Sequence, residues 1–195
     1  MLTYLVNGAP VAAGPTVSSG DPQQDGTKFT FFSLAIMQLA KILNWQLDIL
    51  HTHDWHTAPA VYNLSLIREK DAFYQNTKSL LTVHNLPYLG QNTSSALRAF
   101  GLPRAQPSPL PCWAEILPLP LGLLYTDKIN TVSSGYAKKM LTAEFGAKLK
   151  GFLKTSQQDI TGILNGLDLV SLEPGTRPGN SGELFSGNPP QAQSE

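Results

Sequence analysis

Cysteine is almost absent from this sequence. Cys112 is the only one, which excludes an internal disulfide. Charge is scarce and balanced, with 14 basic against 14 acidic residues, so bulk electrostatics give no reason for a nucleic-acid or anionic-membrane partner. Long hydrophobic runs are missing too. The most leucine-rich stretch, Ile116 to Tyr125, is interrupted by Pro118, Pro120 and Gly122 and is too short to span a bilayer. Met1 to Gly14 lacks a basic start, and Asn7, Gly8 and Pro10 break its apolar runs, so it is a poor secretory signal. These absences predict a soluble, cytoplasmic protein.

What is present suits a globular chain. Hydrophobic residues make up 42%, enough for one core. Residues 1–28 carry Gly8, Gly14, Gly20, Gly26, Pro10, Pro15 and Pro22 without a sustained apolar period and read as loop, with 1–24 as an irregular segment. Phe29 to Leu43 is apolar almost all round, as in a buried helix or a strand leading into one. Leu47 to Leu50 reads as a short buried strand. Thr57 is a candidate N-cap, with Pro59 in the first turn and Val61, Leu64 and Ile67 at helical spacing up to about Arg68.

Leu80 to Val83 is the next predicted strand, followed by a loop through Pro87, Gly90 and Asn92. Residues 101–112 hold Pro103, Pro107, Pro109 and Pro111 and should be extended or irregular. Ile129 to Val132 is a third strand, with a Ser133/Ser134 cap and a short helix to about Leu141. Ile160 to Leu164 is a fourth. Strands alternating with helices predict an α/β fold with a parallel sheet and flanking helices. From 171 to 195 the chain is rich in Ser, Gly, Pro and Gln and is expected to be a disordered tail.

All 4 histidines lie between positions 51 and 84, in polar clusters that each follow an apolar run. The first is His51-Thr52-His53-Asp54-Trp55-His56-Thr57; the second is His84-Asn85-Leu86-Pro87-Tyr88. Polar side chains just past the carboxyl ends of parallel strands line the crevice where ligands bind, so the clusters look like parts of one site. Three chemistries fit. The groups could simply satisfy loop amides and carbonyls. His51 and His53, sharing a strand face, could join His56 around a metal ion, as in a metal-dependent hydrolase. Against that, Asp54 follows His53 at once rather than two residues later, and His84 is the only histidine or cysteine ligand of that kind close downstream. The third chemistry is recognition of a sugar, for which Asp54, His84 and Asn85 supply planar polar groups and Trp55 and Tyr88 an aromatic wall.

The first cluster resembles the H-x-H-D-W-H-T signature of bacterial glycogen synthases and plant starch synthases. Thr82 to Gly90 resembles their T-x-H-N-L-x-Y-x-G. Further matches follow in the same order: Tyr125 to Ser133 with Y-A-D-x-I-x-T-V-S, Thr142 to Gly146 with T-P-E-F-G, and Gly162 to Asp168 with G-I-L-N-G-I-D. The resemblance covers about residues 25 to 170. It implies a retaining glucosyltransferase of glycosyltransferase family 5, in which two Rossmann-like domains face each other across a cleft (the GT-B fold). Such enzymes transfer glucose from ADP-glucose to the non-reducing end of an α-1,4-glucan and need no metal or other cofactor.

On that resemblance Asp54 and His84 are catalytic, and His53, Trp55, His56, Asn85, Tyr88 and Asn165 bind substrate. Nothing in residues 1–28 matches the family's K-x-G-G-L loop, and nothing downstream matches the C-terminal domain with its diphosphate-holding Arg and Lys and its E-x-G-L glutamate. Smaller departures are Ser134-Gly135 for Pro-Thr, Ala143 for Pro and Lys148 for Gly. The expectation is therefore a partial N-terminal catalytic domain, inactive alone, with exposed hydrophobic faces. Its alternatives are a glucan-binding module without catalysis and the metal-dependent hydrolase.

Overall fold

The computed structural model describes residues 18–166. The chain divides into two compact units, residues 1–164 and 165–195; of the second, only Asn165 and Gly166 are described, so the predicted tail lies outside the described residues. In chain order the elements are α1 (Pro22–Ile42), β1 (Ile49–His53), α2 (Asp54–Ile67), β2 (Lys78–Val83), α3 (Ser94–Ala99), α4 (Pro118–Tyr125), β3 (Lys128–Thr131), α5 (Ser134–Met140), α6 (Lys150–Thr155), a 3-10 turn (Gln157–Asp159) and β4 (Ile160–Gly162). The strands form one 4-stranded sheet in the order β1-β2-β3-β4, every pair parallel. The predicted α/β class and parallel sheet are what the structure has. No helix among the described residues is long and apolar enough to cross a membrane.

α1 starts at Pro22, earlier than the loop reading of residues 22–28 implied. The Asp21 carboxylate accepts from the Gln23 and Gln24 amides, and Pro22 sits in the first turn, where an amide donor has no partner to lose. Gly26 is needed for closeness rather than flexibility, since a Cβ there would lie 2.8 Å from Thr93 Cγ2. α4 likewise corrects the view of Ile116–Tyr125 as a broken stretch. Pro118 and Pro120 fall in the first turn of a buried helix, where they cost no internal hydrogen bond.

β1 is also displaced from its predicted place. Pairing with β2 continues through His53 opposite Thr82, so His51 and His53 lie within the strand rather than beyond it. Thr57 is not a cap. α2 begins at Asp54, and the Thr57 hydroxyl bonds back to the His53 amide and carbonyl, while Pro59 stands inside the helix.

The core lies on one face of the sheet. Leu81, Val83 and Ile129 pack with Ala58 of α2 and Leu119 and Leu123 of α4. Leu50 meets Met37 of α1 and Ala60 and Leu64 of α2. Alternation along β1 buries Leu50 and Thr52 on this face and leaves Ile49, His51 and His53 exposed on the other.

Candidate active site

The two polar clusters meet at the carboxyl edge of β1 and β2. Asp54 opens α2 with a left-handed backbone, φ 51°, a conformation uncommon outside glycine and tolerated best by Asp and Asn. That turn aims its carboxylate across to the end of β2. Asp54 Oδ1 accepts from the His84 amide at 2.8 Å and the Asn85 amide at 3.4 Å, and Oδ2 lies 3.0 Å from His84 Nδ1. A carboxylate only accepts, so His84 Nδ1 carries the proton. With the proton on Nδ1 held by Asp54, Nε2 is the ring nitrogen left free of this pair.

Beside this pair is a cavity of about 330 Å³ lined by Ser18, Asp54, Trp55, His56, Asn85 and Tyr88. Its size falls within the range of small-molecule clefts, roughly 300–1,000 Å³. Among the described residues its lining holds no lysine or arginine. Trp55, His56, Asn85 and Tyr88 are thus brought together with Asp54. His84 reaches the cavity only through Asp54.

Two glycine-dependent contacts fix the loop after β2. Gly90 has φ 80°, and a Cβ there would fall 2.8 Å from Pro118 Cγ and 3.0 Å from Trp55. Thr93, packed on Gly26, donates to the Gly90 carbonyl at 2.6 Å. At the other end of the loop the Leu86 amide donates to the Tyr136 hydroxyl at 3.0 Å. Tyr136 had no site role in the sequence reading; its importance depends on α5 packing beneath the loop.

The histidines do not converge on a metal. His51 Nε2 lies 2.7 Å from Thr82 Oγ1, and the Thr82 hydroxyl in turn donates to Asn130 Oδ1, so Nε2 of His51 is the donor. His53 lies between two other imidazoles on the open sheet face, its ring centroid 4.4 Å from His51 and 5.4 Å from His84. Burial, with the neighbouring His51 and His84, pushes the His53 pKa down against the pull of Asp54. His56 belongs elsewhere. It starts the helical rotation toward α1, where its ring meets Phe29 at 4.6 Å and Trp55 at 4.2 Å, and burial lowers its pKa. Among the described residues no group of three or more His, Cys, Asp or Glu is placed to hold a metal ion. His53 does not line the cavity. Asn165 is exposed in the second unit.

Other motif residues serve the scaffold. Asp127 receives a bidentate pair from Arg68, at 3.1 and 2.8 Å, and the Ser79 amide and hydroxyl, both at 2.7 Å. This joins the end of α2 to the starts of β2 and β3, at the edge of the sheet opposite the cavity. Gly162 lies where a Cβ would meet the Ser133 carbonyl oxygen at 2.3 Å, so that motif admits close packing of β4 on α5.

Residues 6–155 match the family model described as starch synthase catalytic domain. The chain is 35% identical over 167 residues to the glycogen synthase of Bacillus subtilis, covering 84% of this chain and 34% of that protein. It is 38% identical over 148 residues to the glycogen synthase of Thermosipho melanesiensis, covering 75% of this chain and 31% of that one. The catalytic domain of starch synthase IV from Arabidopsis thaliana, solved bound to ADP and acarbose, superposes with a TM-score of 0.67 at 29% identity, covering 80% of this chain and 33% of that one. The chain therefore spans about a third of the length of the curated relatives it matches. With a GT-B relative sharing its parallel sheet and with the motif order intact, this chain belongs to the starch synthase catalytic domain family, glycosyltransferase family 5.

Proposed function

We propose that this chain forms the N-terminal, sugar-facing side of a retaining glucosyltransferase site, which moves glucose from ADP-glucose to the non-reducing end of an α-1,4-glucan in the cytoplasm. The observation that carries the reading is the Asp54–His84 pair beside a cavity with an aromatic and amide lining and, among the described residues, no lysine or arginine. A glucosyl unit needs such a surface. A diphosphate needs cations or helix N-termini, and these are expected from the part of the relatives' length that this chain does not span.

Transfer with retention passes through a state in which positive charge builds on the sugar ring while the diphosphate departs. The Asp54 carboxylate favours that charge, and fixed dipoles cost no reorganisation when it appears. His84 acts on the sugar through Asp54, whose carboxylate its amide and ring Nδ1 hold at the cavity wall. Asn85 offers amide donors and acceptors beside it, and Trp55 and Tyr88 cover an apolar ring face. Roles for His53 and Asn165 in binding extend the same proposal beyond the cavity.

The test is a chimera in which residues 18–166 replace the matching segment of the Bacillus subtilis glycogen synthase, assayed for transfer from ADP-glucose to maltoheptaose. An active chimera that loses roughly 100-fold or more with Asp54→Ala or His84→Ala supports the reading, in line with the loss of one transition-state contact. A chimera that binds maltoheptaose but transfers nothing would make this a glucan-binding surface without catalysis.

A further inference from the structure

Ser18 lines the cavity, yet it comes from the stretch with no recognisable motif. What holds it there is a buried ion pair on α1. Asp25, only 4% exposed, accepts the Ser18 hydroxyl at 2.5 Å, the Ser19 amide at 2.9 Å and the ammonium of Lys28, itself 6% exposed, at 3.0 Å. We infer that Asp25 is a positioning residue of the proposed glucosyl site, fastening the Ser18–Ser19 turn against α1 so that Ser18 forms one wall of the cavity; this rests on the functional reading above.

The same helix face continues the work. Four residues on from Asp25, the Phe29 ring stands edge-on to Trp55 at 5.2 Å and to His56 at 4.6 Å. One turn further, the Ser33 hydroxyl donates to the His56 carbonyl at 3.2 Å. Residues at i, i+4 and i+8 share a face, so α1 presents one continuous backing to Ser18, Trp55 and His56. Lys28 lies 4.4 Å from the Phe29 ring, which ties the ion pair to that backing.

A buried ion pair is a poor way to stabilise a fold, because an apolar pair of similar volume usually does as well. Here its hydrogen bonds reach a turn that borders the site. Burial alone would raise the Asp25 carboxyl. The Ser18 hydroxyl, the Ser19 amide and Lys28 outweigh it and hold the group at about 2, so the clamp stays charged at any physiological pH.

The experiment compares the full chain with Asp25→Ala/Lys28→Met and with Ser18→Ala. The double variant removes both charges together and leaves no unpaired ion to unfold the protein; thermal melting checks this. Maltoheptaose is titrated calorimetrically, and the His56 ring and Trp55 indole are followed by NMR with the His51 ring as a distant control. The expected result is about tenfold weaker maltoheptaose binding in the double variant, the scale of one or two lost hydrogen-bonded contacts. Ser18→Ala should show a smaller loss, and the His56 and Trp55 signals should move while His51 does not. A folded double variant with unchanged His56 and Trp55 signals would overturn the inference. If the unaltered chain binds no maltoheptaose, the glucan reading is what fails, and the His56 and Trp55 shifts still decide the positioning role.

Discussion

Asp54 and His84 are joined twice, side chain to side chain at 3.0 Å and side chain to backbone amide at 2.8 Å. The pair spans α2 and β2, so the exit of one strand sets both the tautomer and the position of a ring at the exit of the next. Asp54 does this from a left-handed backbone, which separates two effects that most substitutions would mix. Asp54→Gly keeps the φ of 51° at no steric cost but deletes the carboxylate. The expected outcome is a melting temperature close to that of the parent, with His84 no longer confined to the Nδ1-protonated form. Nitrogen-detected NMR of the imidazole reads this directly. A His84 that keeps a single tautomer in Asp54→Gly would mean that some other group orients it.

Acid should loosen the end of the sheet opposite the cavity. Burial alone would raise the Asp127 carboxyl, but Arg68 and Ser79 outweigh it and bring it from 3.8 to about 2. A carboxyl depressed in the folded state contributes stability that is complete above its unfolded value and is lost as pH falls through the folded one. The loss therefore falls between about pH 4 and pH 2 and is on the order of 2 kcal/mol. Urea titrations at successive pH values should show this slope, and Asp127→Asn should flatten part of it; an identical slope in the variant would remove Asp127 from the account.

The stacked histidines make a prediction with the same direction in pH, at higher values. His53 is lowered chiefly by burial, and then by His51 and His84, so the folded chain takes up a proton there less readily than the unfolded chain. Stability from this group is present above the ordinary value of 6.5 and declines as pH falls below it. Ring-carbon NMR titration should give His53 a midpoint below 6.5. His51→Gln should move it back only in part, because burial is the larger cause. A full return would assign the whole shift to charge repulsion.

Much of this arrangement is legible in the chain because each strand is a short apolar run that hands over to polar residues. That pattern places β2 and β3 closely and joins His84 with Asp54's cluster. It misplaced β1, because nothing in a side-chain pattern says that pairing continues through His51 and His53. It also grouped His56 with them, whereas the start of α2 at Asp54 turns His56 toward Phe29. Ser18, Asp25 and Lys28 escaped notice since Pro22 and Gly26 make their surroundings read as loop. Both residues belong there for other reasons, one at a helix start and one at a close approach to Thr93.

The outer side of β1 should make the chain associate with itself. Among the described residues β1 is an edge strand, and Ile49 on it is 61% exposed, beside Ile42 at 78%, Leu43 at 61% and Trp45 at 67%. An apolar cavity of about 440 Å³ opens there between α1 and β1, lined among others by Met37, Leu43, Trp45 and Ile49. An unpaired strand edge next to exposed apolar side chains invites pairing with any similar edge. Sedimentation velocity across a dilution series should show mass rising with concentration. Ile49→Lys places a charge on that edge, which opposes strand pairing without touching the buried face formed by Leu50 and Thr52. The variant should sediment as a monomer at concentrations where the parent does not. If both sediment alike as larger species, the association runs through another surface, and the apolar groove on the other side of α1, lined by Phe31, Leu34, Ile42 and Phe100, becomes the surface to alter next.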